Sequence, residues 1–391
     1  IKDMDFANLK QKNRDVILGV FGMPLSVMGI TENVNKANCY DSQTEYLTDN
    51  GWKPYELVSD TDKIATYDNG NMVFEKPIKR YQYDYSGEMY HYNGKVTDLM
   101  VTPNHNLFYR TTEGEYRKTE AKDAQYTRLI FKASCNWQGA DKFDIPFDIK
   151  AEDWLEFLGY FISEGGLSIK ARNGHHYMFT LAQKDEAHAD KIRNCLSRLP
   201  FKSTEYGKDY HRWNVFGKEI HQYLLNTIGG YCEEKQIPKD VKTLNQSLLR
   251  ILFDALMLGD GSWDKRDGRT NGYYATCSKQ LADDVMEIAL KLGYRVSCKP
   301  HTDKRPNRQT MYYVHFSENT EVEVQKSNDG IRIEQYTGKV SCFAVSSHLL
   351  ITRRNGFVSI QGNSEAGDYT FARWIVKPRL EWKKAKLQEQ L

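Results

Sequence analysis

The chain has 391 residues, 40% hydrophobic and 13% aromatic, which is ample for more than one packed core and excludes a disordered chain. Its net charge of +2 excludes a general polycation, so any nucleic-acid surface has to be local. The seven cysteines, at 39, 135, 195, 232, 277, 298 and 342, form no CxxC pair or zinc spacing and point to a reducing cytoplasm; no apolar run predicts a membrane span, a signal peptide or a membrane partner.

Along the chain the character changes four times. Residues 1–38 read as one helix and a turn, with Phe6, Leu9, Ile17, Val20 and Phe21 at helical spacing before Gly22 and Pro24. From Cys39 the text is β-rich, with hairpin signals at Asn50-Gly51 and Asn69-Gly70. Helices are expected to dominate from about residue 150, strands to return near 336, and a charged helix to close the chain. The division is therefore 1–38, a flank; 39–140, the first part of a β domain; 141–335, an insert with its linkers; 336–363, the second part; and 364–391, a second flank. Insertions survive at exposed loops whose ends lie close, so the two β-rich parts are expected to form one fold.

The insert contains a repeat. "FLGYFISEGG", from Phe157, and "FDALMLGDGS", from Phe253, are each an apolar helix ending in an acid and a glycine. Gly159 with Ser163, and Ala255 with Gly259, make a small-residue stripe on each helix along which another backbone can approach. A facing pair would bring Glu164 and Asp260 together at the negative ends of two helix dipoles. That arrangement is costly unless a divalent cation neutralises it, and carboxylate-held hard cations suit phosphodiester cleavage. The parallel continues with Thr180 and Lys184 after the first acid and Thr276 and Lys279 after the second. The alternative is a plain packed helix pair with glycine C-caps.

These halves resemble the repeats of the LAGLIDADG homing endonucleases, over about 150–320. The resemblance implies an α+β endonuclease with Glu164 and Asp260 as ligands for Mg2+, Lys184 and Lys279 as candidates for stabilising phosphate charge, and double-stranded DNA as the partner. Glu164 departs from the commoner Asp of the first motif.

The β text carries a second chemistry. Cys39 opens it, "TPNH" brings Thr102 and His105, and "SSHLLITRRNGFVSIQGNS" brings His348, Asn363 and Ser364. A thiol, a Thr-x-x-His and a terminal Asn before a hydroxyl residue resemble the splicing blocks of inteins, of the all-β Hint fold, split here by the endonuclease. The implied reaction needs no cofactor. The Cys39 thiol attacks the Asn38 carbonyl, aided by Thr102 and His105, and Ser364 attacks the resulting thioester. Asn363 then cyclises with help from His348, and an acyl shift joins Asn38 to Ser364. Cys342 stands where many inteins carry Asp, and is either a proton donor or a small buried residue. Gly362 replaces the usual His before the terminal Asn.

Joined, the two flanks are similar to a stretch of the HK97-like tailed-phage portal proteins. That similarity implies a ring-forming host, a monomeric excised element, and an origin in the bacterial cytoplasm with the spliced product in the virion. The alternatives left open are a splicing-impaired remnant acting only as an endonuclease, and a host structural protein interrupted by an inactive element.

Overall fold

The computed structural model describes residues 38–363, except 113, 125–126, 169–176, 208, 267–268, 304, 306–308 and 327–328. The helices expected in the two flanks, and Ser364 with them, lie outside the described residues.

The two β-rich parts pair with each other over long stretches. The Tyr-rich strand Lys79–Gly94 runs antiparallel to Ile331–Ala344, from Lys79 opposite Ala344 to Tyr92 opposite Ile331. With Tyr40–Asp41 and Thr97–Val101 these strands close a barrel. Thr44–Thr48 pairs with Leu349–Arg354. The expected Asn69-Gly70 turn, and one at Asn355-Gly356, have the left-handed backbone that a two-residue hairpin needs, with φ of 47° and 94°, and 48° and 79°. At Asn50-Gly51 the hairpin forms one residue earlier, on Asp49-Asn50, because Gly51 already pairs with Thr48, and only Gly51 is left-handed, at 88°.

Two expectations change here. The boundary at 336 falls inside the strand Ile331–Ala344, and Glu321–Gln325 already pairs with Arg128–Lys132, so the return to the β domain begins by 321. Glu321–Gln325 has only two apolar residues, the buried Val322 and Val324, and so short an alternation carries a weak hydrophobic signal. The insert is also richer in strands than its helical text suggests. Its helices are α1 (Ala151–Glu164), α2 (Glu186–Ser197), α3 (Lys218–Thr227), α4 (Gln246–Asp260) and α5 (Lys279–Lys291). Four strands follow α1 and four follow α4 in the same spatial order, first, second, fourth, third. The insert is thus two copies of one unit.

The second copy is not a separate body. Its strand Arg295–His301 meets the strand Phe357–Gly362 at Ser297 and Phe357, and Cys298 N donates to Gly356 O at 2.8 Å. One ten-stranded sheet therefore runs from the repeat into the β domain. Beneath it, Leu47, Trp52, Ala65 and Met72 of the β domain share a hydrophobic core with α1, α4 and α5, while a second core fills the barrel.

Candidate functional sites

The paired helices α1 and α4 position the first site. A Cβ at Gly159 would lie 2.8 Å from Leu252 O and overlap Ala255, and one at Gly259 would overlap Ser163 and lie 3.2 Å from Glu164 Oε1. Ser163 Oγ donates to Leu256 O at 3.1 Å across the pair. The two small-residue stripes face each other, and the helix ends converge. Gly165 and Gly261 are not left-handed caps: their φ values, −91° and −100°, are extended, and each chain passes directly into a strand. Glycine is required at both for space, since a Cβ would overlap Phe161 O at 165 and lie 2.6 Å from Met257 O at 261.

This convergence puts two carboxyls in a half-dry site. Burial, and then the neighbouring Asp260, push Glu164 up to about 7, against the opposing hydrogen bond from Gln183 Nε2 at 2.8 Å. Burial likewise raises Asp260 to about 6, opposed by Lys235. The Lys235 ammonium is buried and donates to Ile162 O at 2.6 Å and Gly165 O at 2.9 Å, capping the last carbonyls of α1. A cavity of about 250 Å³ beside these groups is lined by Ser163, Lys235, Asp260, Thr276 and Cys277. Among the described residues no group of three His, Cys, Asp or Glu gathers anywhere as a closed metal cage. Two carboxylates whose pKa values rise when they are left to themselves nevertheless suit a hard cation that takes its other ligands from water and phosphate.

The flanking lysines fall elsewhere. Lys184 is exposed, and its neighbour Gln183 is the residue that reaches Glu164. Lys279 is turned to Asp283, with Nζ to Oδ2 at 2.6 Å, and lines a different cavity with Glu45, Cys298 and Arg353. The lysine at the acids is Lys235. It was hidden in sequence because it belongs to neither repeat and stands alone in a loop.

The second site lies at the two ends of the β domain. Cys39, Thr102 and His105 are all fully buried. Cys39 N donates to Thr102 Oγ1 at 3.0 Å, and Thr102 N donates to Cys39 O at 3.0 Å, so Thr102 holds the peptide nitrogen of Cys39. His105 N donates to Thr102 O at 3.0 Å, which places the imidazole in the same turn. Burial lowers His105 to about 3, with the Asn38 backbone opposing that shift, so the ring is neutral. Tyr40 pairs with Ser341 and Asp41 with Val340, which sets Cys39 and Cys342 at the next cross-strand position. Both thiols are buried.

At the other end, Asn363 is 2% exposed, and its Nδ2 donates to Val345 O at 2.9 Å. The same carbonyl accepts from His348 N at 3.3 Å, and His348 adopts a left-handed φ of 63°, so Asn363 and His348 share one turn. Gly362 has a physical reason. A Cβ there would overlap the Asn106 carbonyl oxygen, because the turn that carries His105 packs directly on the final strand. Tyr40 spans the two ends: its hydroxyl donates to Gly362 O at 2.8 Å and its ring lies 4.6 Å from that of His105. Tyr40 and Asn106 went unread in the sequence because two strand residues without a motif carry no signal.

Residues 247–357 match the LAGLIDADG-like domain family, a stretch that runs from the start of α4 to beyond the fourth strand of the second repeat. Among curated proteins, the ATP-dependent Clp protease proteolytic subunit of Chlamydomonas moewusii is 29% identical over 70% of this chain and 30% of its own length. The C-terminal section of the DNA-directed RNA polymerase subunit beta of Stigeoclonium helveticum is 24% identical over 86% of this chain and 37% of its own. The ribonucleoside-diphosphate reductase subunit beta of Aquifex aeolicus is 21% identical over 83% and 50%. The chain thus spans between about a third and a half of the length of these relatives. Among solved structures, the homing endonuclease I-DmoI in complex with DNA and Mn is similar at a TM-score of 0.31 and 20% identity, over 42% of this chain and 89% of that one. The AceL NrdHF class 3 split intein is similar at a TM-score of 0.30 and 10% identity, over 84% and 99%.

Proposed function

We propose that residues 39–363 are a self-splicing element that excises itself and joins Asn38 to Ser364, and that the insert is a divalent-metal-dependent DNA endonuclease. The observation that carries the splicing reading is the meeting of the two chain ends. Thr102 grips the peptide nitrogen of Cys39, and through Tyr40 that strand reaches the carbonyl next to Asn363, 322 residues further along the chain. A buried thiol beside a neutral imidazole and an asparagine held beside a histidine are the groups that an acyl shift and an amide cyclisation need.

In the first step the Cys39 sulfur bonds to the Asn38 carbonyl carbon. The carbon–nitrogen bond breaks, and the nitrogen held by Thr102 leaves as an amine with the proton given up by the thiol. Neutral His105 can carry that proton between the two. The hydroxyl of Ser364 then attacks the thioester and the Cys39 thiol leaves, Asn363 closes on its own carbonyl and frees the Ser364 amine, and that amine takes the Asn38 acyl group from its own side-chain oxygen. Cys342, next to Cys39 across the barrel, is the proton relay we favour for the first step.

The relatives support an element rather than a host activity. A protease subunit, a polymerase subunit and a reductase subunit share no chemistry, and each matches this chain over half its own length or less. A segment common to them is most simply an insertion. For the endonuclease, Glu164 and Asp260 would hold the metal, and the metal would neutralise charge developing on the scissile phosphate. Lys235 orders the end of α1 beneath them. The target is double-stranded DNA, in our reading the uninterrupted host gene. The flanks are fragments of a ring-forming phage portal in a bacterial cell, with the element itself a monomer.

The deciding experiment is expression of the full chain. A ligated flank and a free element are expected on a denaturing gel, and intact precursor in the double variant Cys39→Ala, Asn363→Ala. An unaltered chain that stays whole across pH and temperature would sink the splicing reading.

A further inference from the structure

We infer that Tyr40 is a positioning residue for the last cleavage, holding the Gly362–Asn363 peptide still while the Asn363 side chain turns to attack. The inference rests on the splicing reading and adds a residue that no motif of that reading contains. Tyr40 is fully buried, and its ring is fixed between His105, at 4.6 Å, and Tyr46, at 5.9 Å, both edge-on. Its hydroxyl has one well-formed acceptor, Gly362 O at 2.8 Å, with the Thr352 hydroxyl as the other polar neighbour. Burial holds its pKa well above the ordinary value, so the hydroxyl remains a donor at every working pH.

The chemistry shows why such a clamp matters. Asn363 Nδ2 must form a bond to the Asn363 carbonyl carbon while the bond from that carbon to the Ser364 nitrogen breaks. One proton passes from Nδ2 to the departing nitrogen, and a succinimide remains. In the structure Nδ2 donates to Val345 O at 2.9 Å, and any rotation of the side chain toward its own carbonyl carbon starts from that bond. The rotation is productive only if the backbone stays in place, and the peptide plane before Asn363 is the one that Tyr40 holds. Packing supplies the second grip, because Asn106 abuts Gly362 from the turn that carries His105. Since Tyr40 directly follows Cys39, the clamp also ties the geometry of the last cleavage to the strand where the first step occurs.

Tyr40→Phe removes the hydroxyl and keeps both ring contacts. Two reactions are followed in the full chain by mass spectrometry: thiol-induced cleavage before Cys39, and release of the segment after Asn363. Loss of one well-placed hydrogen bond should slow the second reaction about tenfold and leave the first unchanged. In a precursor that also carries Asn363→Ala, the Gly362 carbonyl 13C shift should move when Tyr40 becomes Phe. Equal slowing at both junctions would reduce Tyr40 to a core residue, and an unmoved carbonyl shift or undiminished release after Asn363 would overturn the inference. Failure of the splicing reading is seen separately, as an unaltered chain that cleaves at neither junction. Tyr40→Leu, which also loses the ring, should impair both reactions.

Discussion

At Gly362 the chain lacks the histidine usual before the terminal asparagine of the inteins it resembles, and the Asn106 carbonyl fills the place where any side chain would begin. Adding a histidine is therefore expected to harm rather than help. Gly362→His should slow release after Asn363 and lower the thermal midpoint, because even a Cβ overlaps backbone that cannot move without displacing His105. A faster release would show that the turn yields and that the missing imidazole was the limiting group. His348 remains on the turn where Val345 O accepts from both His348 N and Asn363 Nδ2.

The paired helices carry the endonuclease reading, and their energetics can be tested without knowing the DNA target. Gly259 touches Ser163 and Glu164 so closely that Gly259→Val should cost about 2 kcal/mol or more by forcing α1 and α4 apart, read as a fall in the urea midpoint. The acids make a sharper prediction. Glu164 and Asp260 have folded pKa values of about 7 and about 6, above those of an unfolded carboxyl, so the folded state holds their protons more tightly. Their contribution to stability is present at low pH and lost as pH rises through 6 and 7. A divalent cation competes with those protons. The thermal shift caused by Mg2+ should therefore be larger at pH 8 than at pH 6, should vanish with EDTA, and should be lost in Asp260→Asn. An Mg2+ shift that is the same at both pH values, or that survives Asp260→Asn, would remove these acids from the metal site.

For the whole molecule, the telling contact is Arg353. Its buried guanidinium reaches Glu45 in the β domain, Nε to Oε2 at 2.6 Å, and Asp283 on α5, NH1 to Oδ1 at 2.5 Å, and it lies over the Trp52 ring at 4.6 Å. Arg353→Ala should cost about 3 kcal/mol, since it removes the guanidinium packed on Trp52 and the ion pair that ties Glu45 to the insert, leaving Asp283 to Lys279, and it should lower β domain and insert together in one unfolding transition. Two separated transitions, with only one shifted, would show that the two parts unfold independently. The same shared core explains why the division of the chain was only partly legible. The paired motif helices, the hairpin turns and the motif residues of the β domain stand out because each depends on short-range spacing. The strand at 321–325, the continuous ten-stranded sheet and the place of Lys235 beside the acids depend on contacts across long separations, which leave little local mark.

By itself the sequence determined the chemistry available: a thiol at 39, an asparagine at 363, and an acid closing each of two small-striped helices, all set by residue identity and helical period. Only the tertiary structure decided which of these groups meet and under what conditions. Burial, more than sequence, brings the Glu164 and Asp260 carboxyls towards neutral pKa values, keeps His105 uncharged, and selects Lys235 over Lys184 and Lys279 as the cation beside the acids. Backbone contact explains Gly362, and a single phenol joins two ends that lie hundreds of residues apart. The physical reason is the same in each case. Desolvation and close packing are properties of what surrounds a group in space, and the neighbours that supply them here are distant along the chain.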